Sequence, residues 1–152
     1  MDIEYIKADL FTAPQDYILV HCISADFRLG AGIAVKFKQM GVKTELERIY
    51  NKNIPYLYCW REEKQGTCLY TEVGRPVYNL VTKERYYHKP TYLSLEQSLW
   101  DLKRQHFQKS ETLRLAMPKI GCGLDKLDWE EVEKIIEEVF KGTDTEIAVY
   151  YL

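Results

Sequence analysis

Pro118-Lys119-Ile120-Gly121-Cys122-Gly123-Leu124-Asp125 follows an apolar run, Leu113-Arg114-Leu115-Ala116-Met117, and precedes a helix start. The apolar run reads as a buried strand. Two glycines separated by one residue let backbone N–H groups turn inward around an anion, because neither carries a Cβ. Asp125 sits at the end of that turn. A second segment of similar design lies upstream, Ser24-Ala25-Asp26-Phe27-Arg28-Leu29-Gly30-Ala31-Gly32-Ile33-Ala34, again between a strand and a helix. Paired strand–loop–helix units point to a ligand with two phosphates, or with a phosphate and a sugar. On spacing alone the same glycines serve equally well as tight turns or helix caps. Neither Gly-x-x-x-x-Gly-Lys-Ser/Thr nor Gly-x-Gly-x-x-Gly occurs, so any phosphate site is of another α/β type.

The chain has 152 residues, which predicts one domain over 1–152 with a core that needs no staples. Its composition, 46% hydrophobic and 29% charged, is that of a globular protein. A net charge of −2 gives no overall footprint for nonspecific nucleic-acid binding; Lys83, Arg85, His88 and Lys89 form a candidate local basic patch. Cys22, Cys59, Cys68 and Cys122 have neither Cys-x-x-Cys spacing nor a paired histidine pattern, which argues against zinc and against a disulfide framework. No metal and no cofactor are expected. Reduced thiols fit a cytoplasmic protein, or a nuclear one in a eukaryote. The opening Met-Asp-Ile-Glu-Tyr lacks a signal-peptide pattern, and no run approaches the length of a membrane span. The expectation is a monomer with no membrane partner.

Ile3–Ala8 reads as a first strand and Tyr17–Ile23, a continuous apolar run, as a strand covered on both faces. Helices are predicted from Ile33 to about Met40 and from about Lys43 to Tyr50. Between 51 and 78 the pattern weakens to aromatic strand-like pieces, Tyr56–Trp60 and Cys68–Glu72, around a polar turn at Glu62–Gly66; this region is expected to form a sheet edge and rim. Val77–Thr82 is another strand. Pro90-Thr91 opens a helix to about Lys109, with Leu95, Leu99 and Leu102 as its apolar stripe. Asp128 is an N-cap with Glu131 in capping-box position, ahead of an apolar face of Val132, Ile135, Ile136, Val139 and Phe140. Gly142 ends that helix, and Glu146–Leu152 closes the chain as a strand. Strands alternating with helices predict an α/β fold with a mostly parallel, doubly covered sheet.

Ser24, Lys83 and the Gly121–Asp125 segment each fall at the carboxyl end of a predicted strand. Open α/β sheets bind ligands along that edge. Lys83 and Asp125 offer chemistry there: an amine attacks a carbonyl carbon to form a Schiff base, and a carboxylate moves protons. A strand-end lysine and a turn aspartate are also ordinary surface features. His21, inside an apolar strand, reads as a satisfied core histidine, and Cys22 and Cys122 as small packing residues.

His21-Cys22-Ile23-Ser24, Gly30-Ala31-Gly32-Ile33-Ala34, Thr82-Lys83, His88-Lys89-Pro90-Thr91-Tyr92 and Met117-Pro118 through Asp125 together resemble the macrodomain family, and within it the terminal ADP-ribose protein glycohydrolase branch. Lys7-Ala8-Asp9-Leu10-Phe11 resembles the family's opening segment. The resemblance implies a three-layer α/β/α macrodomain with a central mixed, mostly parallel sheet. It implies that Asp9, with Leu10 beside it, meets the adenine. Ser24 and Gly30, Ala31, Gly32, Ile33 and Ala34 would hold the distal ribose and a phosphate, and Ile120, Gly121, Cys122, Gly123 and Leu124 would cradle the diphosphate. Thr82 and Pro118 complete the ligand-binding set. Lys83 matches the branch's lysine, which attacks C1″ of the distal ribose, and Asp125 the acid that resolves the lysyl intermediate. The implied substrates are ADP-ribosylated proteins with ester links to glutamate or aspartate, and O-acyl-ADP-ribose. The alternatives are ADP-ribosylated DNA, as in the related antitoxin glycohydrolases, or a non-catalytic ADP-ribose reader. Where most macrodomains carry an asparagine pair after the second strand, this chain has Cys-Ile-Ser, which fits the lysine branch rather than a water-activating hydrolase.

Overall fold

The computed structural model describes residues 1–50 and 65–152. The expected piece Tyr56–Trp60 and most of the turn Glu62–Gly66 lie outside the described residues. In chain order the elements are β1 (Asp2–Lys7), a 3-10 turn (Leu10–Thr12), β2 (Ile18–Ser24), α1 (Ala34–Gln39), α2 (Val42–Ile49), β3 (Thr67–Val73), β4 (Arg75–Lys83), α3 (Tyr92–Phe107), β5 (Thr112–Met117), α4 (Trp129–Phe140) and β6 (Asp144–Tyr151). The sheet order is β1-β6-β5-β2-β4-β3. Every pairing is parallel except the antiparallel β3–β4 ribbon.

Side chains alternate across the strands and build two cores. Val20, Tyr78, Leu80, Leu115, Met117, Ile147 and Val149 face α3 and α4, where Leu95, Leu99, Leu102, Val132, Ile136, Val139 and Phe140 meet them. Leu19, Ile23, Val77, Val81, Ala116 and Ala148 face the other way, toward Phe37 of α1 and Val42 and Leu46 of α2. Period-2 alternation in the strands and burial on both faces thus produce the helix–sheet–helix layering. β2 lies between β5 and β4, so its unbroken apolar run follows from its place at the centre of the sheet.

One capping assignment is corrected. Asp128 accepts from the Glu130 amide at 3.0 Å rather than entering a box with Glu131, whose carboxylate pairs instead with Lys134. The reciprocal box is at α3: Ser94 N donates to Thr91 Oγ1 at 3.0 Å and Thr91 N to Ser94 Oγ at 3.1 Å. A serine in the third helical position does the work usually given to Glu or Gln. The same face of α3 fastens the end of β4, because Ser94 Oγ donates to the Thr82 carbonyl at 2.6 Å and Ser98 Oγ to the Val81 carbonyl at 3.0 Å. These bonds fix the strand directly before Lys83. At the opposite end of the sheet, buried Arg75 donates to the carbonyls of Ala13, Pro14 and Tyr17.

Candidate active site

Because β2, β4 and β5 run parallel, their carboxyl ends open on one edge, and the loops there enclose a cavity of about 730 Å³. That size suits a nucleotide-sized ligand. Ser24, Gly30, Ala31, Gly32, Ile33, Ala34, Lys83, Pro118, Ile120, Gly121, Gly123, Leu124 and Asp125 line it, so most of the residues singled out in the sequence come together. Lys83 Nζ lies 2.8 Å from Asp125 Oδ1, with side-chain exposures of 15% and 18%. This ion pair joins the end of β4 to the end of the β5 loop. In the β2–β4 register Ser24 stands opposite Lys83, after a shift that follows the Ile23–Val81 pair. The extra residue, Thr82, is thus taken up at the site, as bulges beside functional loops commonly do.

The β2 loop is held by Asp26. Its Oδ1 accepts from Ser24 Oγ at 2.5 Å and from Arg28 N at 3.1 Å, and its Oδ2 accepts from Tyr86 N at 2.9 Å. Phe27 and Leu29, both with positive φ, bury their side chains beneath the loop. The second loop closes on its own backbone: Cys122 N donates to Lys119 O, and Leu127 N to Gly121 O at 2.7 Å. Gly121 has φ +75°, and a Cβ there would lie 2.9 Å from Leu127 Cδ1. Gly123 has no such constraint: a Cβ there meets no protein atom within 4 Å. The loops approach each other at Gly32, where a Cβ would touch Leu124 at 3.4 Å.

Four sequence candidates lie outside the cavity wall. Asp9 caps the 3-10 turn, accepting from Phe11 N at 3.0 Å, and pairs with Lys36 of α1 at 3.0 Å. The Phe11 amide first, then Lys36, hold its carboxyl below the usual range. Leu10 is buried in the α1–α2 core. Thr82 is buried, and Cys122 turns its thiol to the Ile120 carbonyl at 3.4 Å. Burial, and secondarily the Asp125 charge, push the Cys22 thiol up to about 12. Burial pushes Cys122 up to about 11. Both stay protonated at neutral pH, so neither is a thiolate nucleophile. Among the described residues no cluster of His, Cys, Asp or Glu could hold a metal ion, and no helix is long and apolar enough to cross a membrane.

His88 and Lys89 of the candidate basic patch also line the cavity, as do Arg28, Tyr86, Tyr87 and Lys119, to which the sequence reading assigned no role. Arg28 stacks over the Tyr86 ring at 4.0 Å, and Tyr86 meets Tyr87 edge-on at 5.3 Å. Asp26 carried a local signal, since an aspartate that accepts from the amide two residues on is an Asx turn. Its bond to Tyr86, far along the chain, carried none.

His21 lies on the floor of the cavity. Its ring stacks on Phe37 of α1 at 3.7 Å and 16°, and Nε2 lies 2.6 Å from Asn79 Oδ1. Asn79 Nδ2 in turn donates to Leu69 O at 2.9 Å and to Thr71 Oγ1 at 3.1 Å. The core-histidine reading holds for one ring nitrogen only, because buried Nδ1 has no hydrogen-bond partner among the described residues.

No protein-family model matches the chain. It is 47% identical over 153 residues to ADP-ribose glycohydrolase OARD1 of Bos taurus, covering 99% of this chain and 91% of that protein. The Homo sapiens ADP-ribose glycohydrolase OARD1 is 45% identical over the same shares. Among solved structures, the macrodomain of Mycobacterium tuberculosis DarG matches with a TM-score of 0.78 and 25% identity, covering 99% of this chain and 97% of that one. With a helix-covered, mostly parallel sheet and a lysine–aspartate pair between two glycine-bearing loops, the chain belongs to the macrodomain family, in the terminal ADP-ribose glycohydrolase branch.

Proposed function

We propose that this protein is an ADP-ribosyl-acceptor hydrolase that seats ADP-ribose between its two glycine-bearing loops and releases the acceptor through a lysyl intermediate. The observation that carries this reading is the Lys83–Asp125 pair, 2.8 Å apart and mostly buried in the wall of the cavity. A protein that only reads ADP-ribose needs no such pair. The glycohydrolase names of the mammalian relatives support the same reading.

In the proposed reaction the Lys83 ammonium gives up its proton to solvent, freeing the amine's electron pair. The amine forms a bond to C1″ of the distal ribose as the bond from C1″ to the acceptor oxygen breaks, and the acceptor leaves as a carboxylate. The C1″–O4″ bond then breaks, O4″ taking a proton from the nitrogen, and the opened sugar is held as a protonated C1″=N Schiff base. Asp125 takes a proton from the water that adds to C1″, that proton passes to the amine as the C1″–N bond breaks, and the ring recloses on the freed C1″ aldehyde. Arginine in place of Lys83 would stay protonated and could not take part.

Three substrates offered in parallel test the reading: a glutamate-linked ADP-ribosylated protein, O-acetyl-ADP-ribose and ADP-ribosylated DNA. Lys83→Ala is expected to lose nearly all turnover while keeping ADP-ribose affinity within a few-fold. Asp125→Ala is expected to accumulate ADP-ribose on Lys83, seen by mass spectrometry. Full turnover by Lys83→Ala would sink the lysyl route. A DNA acceptor is the second reading, favoured by the exposed Tyr86–Tyr87 pair and the stacked Arg28 at the cavity wall, since aromatic and guanidinium planes stack on bases.

A further inference from the structure

Beyond β5, on the side of the sheet away from Lys83, Tyr5, Lys119, Trp129 and Tyr151 line a second cleft of about 350 Å³. Tyr5 of β1 and Tyr151 of β6 are 44% and 41% exposed. The Tyr5 and Trp129 rings stand nearly perpendicular, at 85° with centroids 6.4 Å apart, and form a corner. Trp129 Nε1 donates to Tyr5 Oη at 3.0 Å, and Tyr5 Oη donates to the Glu133 carboxylate. With those polar tips engaged, the corner offers ring surface. Lys119 Nζ stands 6.0 Å from the centre of the Tyr151 ring. Lys119 also lines the large cavity, so the two spaces share a wall. An aromatic corner beside an ammonium matches a base that carries phosphate, because bases stack on aromatic rings and the cation attracts the phosphate.

The cleft's place along the edge decides which end of a ligand reaches it. Lys83 ends β4, and the sheet order puts β2 and β5 between β4 and the β6–β1 pair. The sugar carbon C1″, with any acceptor on it, belongs at Lys83. The adenosine end then comes toward β1, which Asp9 follows. Tyr5 and Tyr151 have the parity of Ile3 and Val149, which pack on the α3–α4 side of the sheet, whereas Leu10 and Tyr150 belong to the α1–α2 core. An adenine held at Asp9 therefore leaves the cleft open to another group. We infer that this cleft binds a second nucleotide unit joined to the adenosine ribose of the ADP-ribose in the cavity, with its adenine in the aromatic corner and its diphosphate beside Lys119. This rests on the proposed seating of ADP-ribose. An acceptor nucleic acid would extend from C1″, at the other end of the cavity.

Calorimetry and tryptophan fluorescence test this with three ligands: ADP-ribose, a dimer of two ADP-ribose units joined through the adenosine ribose of the unit whose C1″ is free, and an unmodified dA oligonucleotide. The wild type is expected to bind the dimer about tenfold more tightly than ADP-ribose. The dimer alone is expected to quench the fluorescence that Trp129→Leu removes. Tyr151→Ala and Trp129→Leu are expected to bind ADP-ribose as the wild type does, and the dimer no more tightly than ADP-ribose. Equal wild-type affinities for ADP-ribose and the dimer overturn the inference, as does a tenfold preference that survives both substitutions. Quenching of Trp129 by ADP-ribose alone overturns it too, by placing the first adenine in the corner. An oligonucleotide that binds as tightly as the dimer and quenches Trp129 overturns it in favour of a nucleic-acid site. Failure of ADP-ribose itself to bind the wild type removes the proposed function, and this inference with it. Tyr151 lies exposed at the end of β6, so its alanine variant decides should Trp129→Leu not fold.

Discussion

In the loop after β2, one carboxylate, Asp26, gathers a hydroxyl and two amides, one of them from the separate loop after β4. In the loop after β5, no single side chain gathers the turn: Gly121 turns the backbone through positive φ, Leu127 N closes the turn on Gly121 O, and Ile120 anchors it from below, while Lys83 and Lys89 reach only its far end, at Asp125 and the Leu124 carbonyl. Both loops present backbone to one cavity, but the first is shaped by one side chain and the turn of the second by its own chain path. A loop tied by one carboxylate can be loosened by one substitution and still fold. A loop tied by its dihedrals resists side-chain changes and fails where a glycine is replaced.

The largest expected effect separates the two glycines of the second loop. Gly123→Val should leave thermal stability nearly unchanged, because its Cβ meets no protein atom. It should weaken ADP-ribose binding at least about 100-fold by calorimetry, because the branched side chain takes the space of the ligand. Unchanged affinity would show that the diphosphate does not rest on that loop.

Gly121→Val should do the reverse. It forces a β-branched residue to φ +75° with its Cβ against Leu127, and chemical denaturation should register a loss of about 2 kcal/mol. Wild-type stability would mean that the turn has another conformation available.

Acid should act from beneath the first loop. His21 has a folded pKa of about 4 against about 6.5 unfolded, so between those values the unfolded chain binds more protons. Stability therefore rises with pH across this window and falls on acidification, by about 1.4 kcal/mol at pH 5.5 relative to pH 8. His106, also lowered by burial, adds in the same direction. The difference in slope between wild type and His21→Phe in melting temperature against pH isolates the His21 share, and equal slopes would remove it.

The smallest effect belongs to Asp26→Ala, which unties the first loop from Ser24, Arg28 and Tyr86. About 1 kcal/mol of stability and roughly fivefold in ADP-ribose affinity should be lost. Asp26→Asn, which keeps an acceptor, should recover part of both. An alanine variant indistinguishable from wild type would mean that both loops are fastened by backbone.

What the sequence disclosed follows the range of each interaction. α4 was legible because Val132, Ile136, Val139 and Phe140 repeat at helical spacing, and β2 because a strand buried on both faces must be apolar throughout. Lys83 and Asp125 could be proposed as partners because parallel strands bring their carboxyl ends to one edge. The contacts that shape the site in detail join residues far apart in sequence, and no local pattern marks them: Asp26 with Tyr86, Lys36 with Asp9, His21 with Asn79. The capping error at Asp128 was local, where the aspartate reached the nearer of two amides.

The sheet order has a consequence for the newly made chain. Among the described residues β1 has β6 as its one neighbour in the sheet, with Asp2 opposite Glu146. β1 therefore leaves the ribosome well before β6 and waits for it before it can dock. Such distant pairing is slow and leaves an unpartnered strand exposed in the interval. Amide exchange pulsed during refolding should protect β2 and β4, where Leu19 pairs with Val77 at a far shorter sequence separation than Asp2 with Glu146, before it protects Asp2–Lys7. The sheet edge that carries the cavity would then assemble from its centre outward.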